Sequence, residues 1–400
     1  MVQVNPEILK WARETAGLNL SDAVQMLGIN DARGVAAIDR LTALEAGVDQ
    51  PSRPMILKMV NKYHRPLLTF YLSAPPVRED RGEDFRTLPE TVTEMDKALV
   101  DAAVRDIRTR QSLVRAALQD QDEDTALDFI GAARKADGVA AVVQKITEQL
   151  EFNLSIYRRQ SSPADAFKYM RSQAEAAGIF VILVTDLGSH HTAIPVENFR
   201  GFALADDVAP FIAINGNDSR GALAFTLGHE LAHLWLGQTG ISGNHAVQTV
   251  EKFCNDIASE ILVPAVEFAD FDLTIGLDFE AVKKLITEFA QVRKVSSTMI
   301  AYKLLSFDKI SSDLFNSLRS AYRQDFIQHR ERERERARQK DSGPSYLTIR
   351  RYRAGTALVD LVGRMMHSGT LTTTKAGKVL GVSGKNVQGV LEANRPRQMA

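Results

Sequence analysis

The sequence predicts a mainly α chain with one small β-sheet, an α+β arrangement, and three observations carry that reading. Amphipathic helical periods recur through most of the 400 residues. Runs rich in β-branched residues are confined to the stretch between about residue 179 and residue 215. Directly after it comes 220–237, RGALAFTLGHELAHLWLG, an uninterrupted apolar run too long for a strand.

Composition sets the frame. A length of 400 residues suits two to three domains, and 44% hydrophobic with 25% charged residues is ordinary for a globular protein. One cysteine excludes an intramolecular disulfide framework and fits a reducing compartment. The opening MVQVNPEILKWARE has no apolar signal core and no run approaches 18 apolar residues, so the expected location is the cytoplasm, with no membrane partner. A net charge of −1 gives no global pull on nucleic acid; such binding would need local patches.

At the N-terminus, 6–16 reads as an amphipathic helix closed by Gly17. Ser21 is placed as the cap of a brief helix to Leu27, Gly28 as a turn, 35–46 as a third helix and 55–63 as a fourth. Short helices divided by glycine turns are the helix-turn-helix cadence. Between Met1 and Asp80 nine Lys plus Arg meet nine Asp plus Glu, and the third helix carries Asp39 and Glu45 beside Arg40, so its hold on phosphate is weak. Protein contact and DNA binding are both open for this module. Pro75-Pro76 and REDRGED at 78–84 form a polar boundary.

Helical periods at 95–117 and 138–150 follow, separated by an acidic loop at 119–124, and then a helix at 163–176. IFVILVT at 179–185, 199–204 and 211–215 are the strands. The last is expected beside the long apolar helix with an exposed edge, able to hold an extended peptide as an added strand. His190-His191 point opposite ways if on a strand and cannot jointly chelate.

In 220–237, His229 and His233 stand four apart, so both rings project from one helical face and can grip a single cation, for which Zn2+ is suited. Glu230, about 100° round the helix, is placed to handle the proton of a water rather than to bind the ion. A catalytic site of this kind needs a third protein ligand and an open position. EKFCNDIASEILVP at 251–264 reads as a second helix ended by Pro264, with Glu251 at its head. Glu251 is favoured as the third ligand because Asn255, one turn on, can support the site; Glu260 is the rival. Cys254 reads as packing, and His245, between the two helices, as a candidate oxyanion stabiliser.

HELAH at 229–233, with PFIAIN at 210–215, Arg220 and Phe225-Thr226 before it and ExxxN and ILVP after it, resembles the ImmA/IrrE family of metallo-endopeptidases. The stretch 165–202 resembles that family's lead-in, and 5–88, including RPLLTFYL and DFRTL, resembles the Xre-type helix-turn-helix domain often fused ahead of it. The resemblance implies a zincin-like fold and a cytoplasmic zinc peptidase that makes limited cuts in a helix-turn-helix repressor, derepressing stress-response or mobile-element genes. Cys254 stands where the family usually has Ala, and Ala232 where Gly is common; neither change removes a ligand.

Beyond the core, 280–290 and 296–305 read as a helical pair, the second resembling half of another helix-turn-helix. HRERERERARQK at 329–340 reads as a solvent-bridging helix or a disordered spacer. From Ser342 to Ala400 nine Lys plus Arg face two Asp plus Glu, a balance of +7, and 371–391 has the helix, glycine turn, helix cadence of a DNA-reading unit with Lys375, Lys378 and Lys385 available to phosphates. The expected layout is an Xre-type domain at 1–75, a helical linker region at 76–160, a zincin-like core at 161–270, a helix-turn-helix-like subdomain at 271–325, a charged linker at 326–345 and a basic helical segment at 346–400. The expected partners are a helix-turn-helix repressor as substrate and DNA at either terminal module. A reading from another class remains: a DNA-binding, antitoxin-like regulator whose zinc domain senses or stabilises.

Overall fold

The computed structural model describes residues 4–76, 93–188, 192–238, 245–269, 271, 278–338 and 343–393. They form two compact units. One takes the described residues of Met1–Arg81, Arg86–Asp106 and Ser189–Phe199; the other takes those of Gly82–Phe85, Ile107–Gly188 and Arg200–Ala400. The polar boundary expected at 78–84 and the pair His190-His191 lie outside the described residues.

In the first unit, α1 (Pro6–Glu14), α2 (Leu20–Leu27), α3 (Ala37–Glu45) and α4 (Arg53–Lys62) bury Ile8, Leu9, Leu27, Leu41, Ile56, Met59 and Phe70. The caps differ from those expected. Asn19, not Ser21, caps α2, its Oδ1 accepting the Asp22 N–H at 2.9 Å. Asp31 Oδ1 accepts the Ala37 N–H at 2.8 Å, delaying α3 by two residues, and Ser52 with Pro54 starts α4 two residues early. Glu45 is drawn inside by Arg13, which donates to it at 2.7 and 2.9 Å. The long α5 (Glu94–Gln119) follows.

The second unit is built on a three-stranded sheet in the order β1 (Phe180–Val184), β3 (Phe211–Asn215), β2 (Gly201–Leu204). β1 pairs with β3 in parallel, Phe180 opposite Phe211; β2 pairs with it antiparallel, Gly201 opposite Ile214. β3 is therefore the central strand, and the exposed edge expected of 211–215 is corrected. Its continuous apolar run FIAIN, buried at every residue, is what a strand covered on both faces requires. The edges belong to β1 and β2.

Before the sheet come α6 (Val139–Gln149), α7 (Leu154–Arg159) and α8 (Pro163–Ala176), and after it α9 (Arg220–Trp235) and α10 (His245–Leu262). Then follow α11 (Phe279–Arg293), α12 (Ser297–Ser306) and α13 (Ser312–Arg338). One continuous core runs from Phe129, Val142, Ile146 and Tyr157 through the sheet and α9 to Met299, Leu304 and Leu318. Much of the expected linker region thus packs into the core, and of the two alternatives for 329–340 the described part, 329–338, is helix, continuing α13. No helix among the described residues is long and apolar enough to cross a membrane.

The C-terminal segment is a packed helical module: α14 (Tyr346–Ala354), α15 (Thr356–His367), α16 (Thr373–Leu380) and α17 (Val387–Glu392), enclosing Leu358, Val362, Met365, Val379, Val387 and Val390. It is keyed to the sheet by Arg171 of α8. That buried guanidinium donates to Tyr352 O at 2.6 Å, Arg353 O at 3.2 Å, Glu175 at 2.9 Å and Val181 O of β1. Glu175 in turn accepts the Thr356 N–H at 3.1 Å, capping α15. Arg353 reaches Asp186, just past β1, at 2.9 Å.

Candidate active site

α9 is apolar nearly all round, so burial rather than amphipathicity fixes it: thirteen of its sixteen residues are buried, packed against α8, α10, β2 and β3. The segment before α6 closes its C-terminal end. Gly131 N–H donates to Leu234 O at 3.0 Å and Ala133 N–H to Trp235 O at 2.9 Å, satisfying carbonyls the helix itself cannot, while Phe129 stacks on Trp235 with centroids 4.6 Å apart. Gly237, at φ 67°, turns the chain left-handed, and the Gln238 N–H then donates back to His233 O at 3.0 Å. That closure sets the Gln238 side chain beside His233, with Oε1 at a long 3.4 Å from Nδ1.

His229, Glu230 and His233 are all buried to within 2% of full enclosure. α10 lies against α9 and presents Glu251 and Asn255 one turn apart. The helix begins six residues earlier than expected, at His245, so Glu251 sits in its second turn rather than at its head. Glu251 carboxylate oxygens stand 3.2 Å from His229 Nε2 and 3.2 Å from His233 Nε2, and the two Nε2 atoms are 3.0 Å apart. Among the described residues these three are the group whose ligand atoms meet within 4.8 Å of one another. Glu260 is elsewhere: it pairs with the buried Lys303 at 2.6 Å and accepts the Ala265 N–H at 2.9 Å.

The triangle fits a cation. An ion binding N and O ligands tetrahedrally at about 2.0–2.1 Å holds them roughly 3.3 Å apart, close to the separations seen. Asn255 Oδ1 lies 2.9 Å from His229 Nδ1, which as N–H donates to it; His229 Nε2 then carries a lone pair facing the carboxylate and the other ring. Electron-rich atoms so close in a buried site call for positive charge between them. The charge balance agrees. Burial works against the ionised form of Glu251, but the two imidazoles outweigh it and hold the carboxyl well below its ordinary range. Burial likewise disfavours a charged His233, yet Cys254, Glu251 and Glu230 raise its pKa well above the ordinary value. Cys254 is fully buried behind His233, and burial raises its thiol; it is a neighbour of the ring and not a member of the triangle. The backbone of His245 opens α10, while its side chain lies outside the described residues.

Residues 174–305, from the end of α8 through the sheet, α9, α10 and α11 into α12, match the family model described as Peptidase_M78, IrrE N-terminal-like domain. That stretch, about a third of the chain, is similar to the metallopeptidase domain of the ImmA/IrrE type. Neither the comparison with curated proteins nor that with solved structures finds a match.

Two residues of this M78 domain had no signal that sequence reasoning used. Gln238 is placed by the glycine turn ending α9. Gly201 of β2 faces Glu230: a Cβ built there would stand 2.6 Å from Thr226 Cγ2 and 2.8 Å from Glu230 Oε1. Only glycine leaves that carboxylate its place. Gly201→Ala is expected to displace Glu230 while sparing the triangle, cutting peptide hydrolysis roughly 100-fold at unchanged ion content. Ion analysis beside a cleavage assay checks this; full activity in the variant refutes it.

Proposed function

We propose that the chain is a zinc-dependent endopeptidase that makes limited cuts in a helix-turn-helix transcriptional repressor, thereby regulating stress-response or mobile-element genes. The observation that carries the reading is the triangle of His229, His233 and Glu251 with Glu230 buried beside it on the same helix. A site closed by four protein ligands would need no such carboxylate.

His229 and His233, through Nε2, and Glu251 would hold Zn2+, which when bound acts as a Lewis acid towards the scissile carbonyl and lowers the pKa of water. Asn255 keeps His229 in the tautomer that binds, and Gln238 steadies His233. Glu230 takes a proton from the attacking water and returns it to the departing amine nitrogen, so no net proton is consumed. The substrate lies extended beside β2. At the other edge Val181 O of β1 accepts from Arg171 and α14 packs on that strand, whereas on β2 Gln111 donates to Leu204 O at 3.1 Å, at the end away from Gly201. Gly201 brings the β2 edge next to Glu230, so a peptide added there passes the base.

The test uses the zinc-loaded chain and a panel of helix-turn-helix repressors from the same genome. Expected are one or a few discrete fragments, cleavage that stops when a chelator strips the ion, and return of cleavage when Zn2+ is restored. Cleavage that survives complete removal of the ion, or a panel left intact under all conditions, overturns the proposal.

A further inference from the structure

The two helical modules at the ends of the chain differ in what they offer a partner. In the N-terminal unit acids and bases balance, Arg40 of α3 is turned back to Asn30 O at 2.5 Å, and Glu45 is occupied with Arg13. Its acid-free stretch, 50–76, carries Arg53, Lys58, Lys62 and Arg65, but α3, the helix a groove would receive, holds Asp39 and Glu45. In the C-terminal module the 31 residues 361–391 contain no Asp or Glu and carry Arg364, Lys375, Lys378 and Lys385, with Glu392 following. Arg364 is paired with Glu123 of the core at 2.8 Å, while the three lysines are exposed.

Those lysines sit on two helices joined by a short turn of defined geometry. α16 ends at Gly381, at φ 68°, and the Val382 N–H closes it by donating to Gly377 O at 2.9 Å. After Ser383 the chain re-enters helix, first as a 3-10 turn over Gly384–Asn386 and then as α17. The second helix starts hard against the first: a Cβ on Gly377 would lie 2.8 Å from Val382 O and 3.1 Å from Gly384 N. Ala376, Leu380, Val387 and Val390 are buried between and behind the pair. A rigid two-helix element joined by a three-residue turn is the geometry that presents a second helix to a DNA groove.

The exposed faces carry matching chemistry. The first helix offers Thr373, Thr374, Lys375 and Lys378; the start of the second offers Ser383 and Lys385, with Gln388 one turn on, its amide donating to Glu392. Hydroxyl, amide and ammonium groups are what phosphates and base edges accept. The Arg110 guanidinium packs against the turn, within 2.4–2.8 Å of where a Cβ on Gly381 would stand. We propose that α16 and the helix following it bind double-stranded DNA, with Lys375, Lys378 and Lys385 on phosphates and the Ser383–Gln388 face in the major groove. This inference does not rest on the peptidase reading. It places whatever the M78 domain does at a DNA site, because Arg171 and Asp186 tie the module firmly to the sheet.

The test is titration of the full-length chain against a labelled random-sequence duplex of about 30 base pairs over a salt series, compared with the triple variant Lys375→Gln/Lys378→Gln/Lys385→Gln. Wild type is expected to bind with an affinity that falls linearly on log–log axes. The variant should bind roughly 10- to 100-fold more weakly at about 100 mM salt, with a slope shallower by about two to three. As the three side chains are exposed, its circular dichroism, melting midpoint and zinc content should match wild type. No duplex binding at about 50 mM salt overturns the inference, as does a variant with unchanged affinity and slope. Preference for single strands or for duplex RNA over duplex DNA also overturns it.

Discussion

Glu230→Gln should bind its ion, fold as wild type and fail to cut. Amide and carboxylate have the same shape, so the fit against Thr226 and Gly201 survives, and His229, His233 and Glu251 themselves are unchanged. What disappears is a group able to accept and return a proton, a loss worth roughly 10²- to 10⁴-fold in rate. The removed charge also acts at a distance, because Glu230 helps raise the pKa of His233. Ion affinity should therefore weaken slightly and recover with added Zn2+, whereas hydrolysis should not. Saturating ion content with absent cleavage is the expected pair of readings. Cleavage within about tenfold of wild type would remove Glu230 from the chemistry and leave the triangle without a base.

The parts of this site that were legible in the sequence are those fixed by local spacing. His229, Glu230 and His233 lie on one helix, and the i, i+4 step from Glu251 to Asn255 puts both on one face of the next, so periodicity alone aligns them. The choice between Glu251 and Glu260 was not local. It turned on Lys303, forty-three residues on, which claims Glu260 for an ion pair. The start of α10 was misjudged because nothing between His245 and Glu251 breaks a helix, and the strand order because β3 reads alike whether it is central or at an edge. Gly201 was hidden for a related reason. A glycine at the end of a short apolar run signals a strand boundary, and only the packing of β2 on α9 shows that it makes room for the Glu230 side chain. The basic C-terminal run was visible as charge, but its attachment was not: a lone Arg171 in an amphipathic helix does not announce four contacts, two of them to backbone carbonyls 181 and 182 residues along the chain.

That attachment predicts a large stability effect. Arg171 and Glu175 are each less than a tenth exposed, and burial pushes them in opposite directions, Arg171 down and Glu175 up, each resisting through the other. Removing one partner strands the other's charge inside the protein. Arg171→Met should cost about 3–5 kcal/mol, since it also leaves the carbonyls of Val181, Tyr352 and Arg353 short of a donor. Adding Glu175→Leu to that variant removes the stranded carboxylate and forfeits the cap on Thr356, worth about 1 kcal/mol, so the double variant should be more stable than the single one. Urea unfolding of the wild type, both single variants and the double variant closes the cycle and yields the coupling. Two single losses that simply add would mean that the pair is not coupled, and that the attachment rests on Arg171's bonds to the carbonyls and on the Arg353–Asp186 and Arg364–Glu123 pairs.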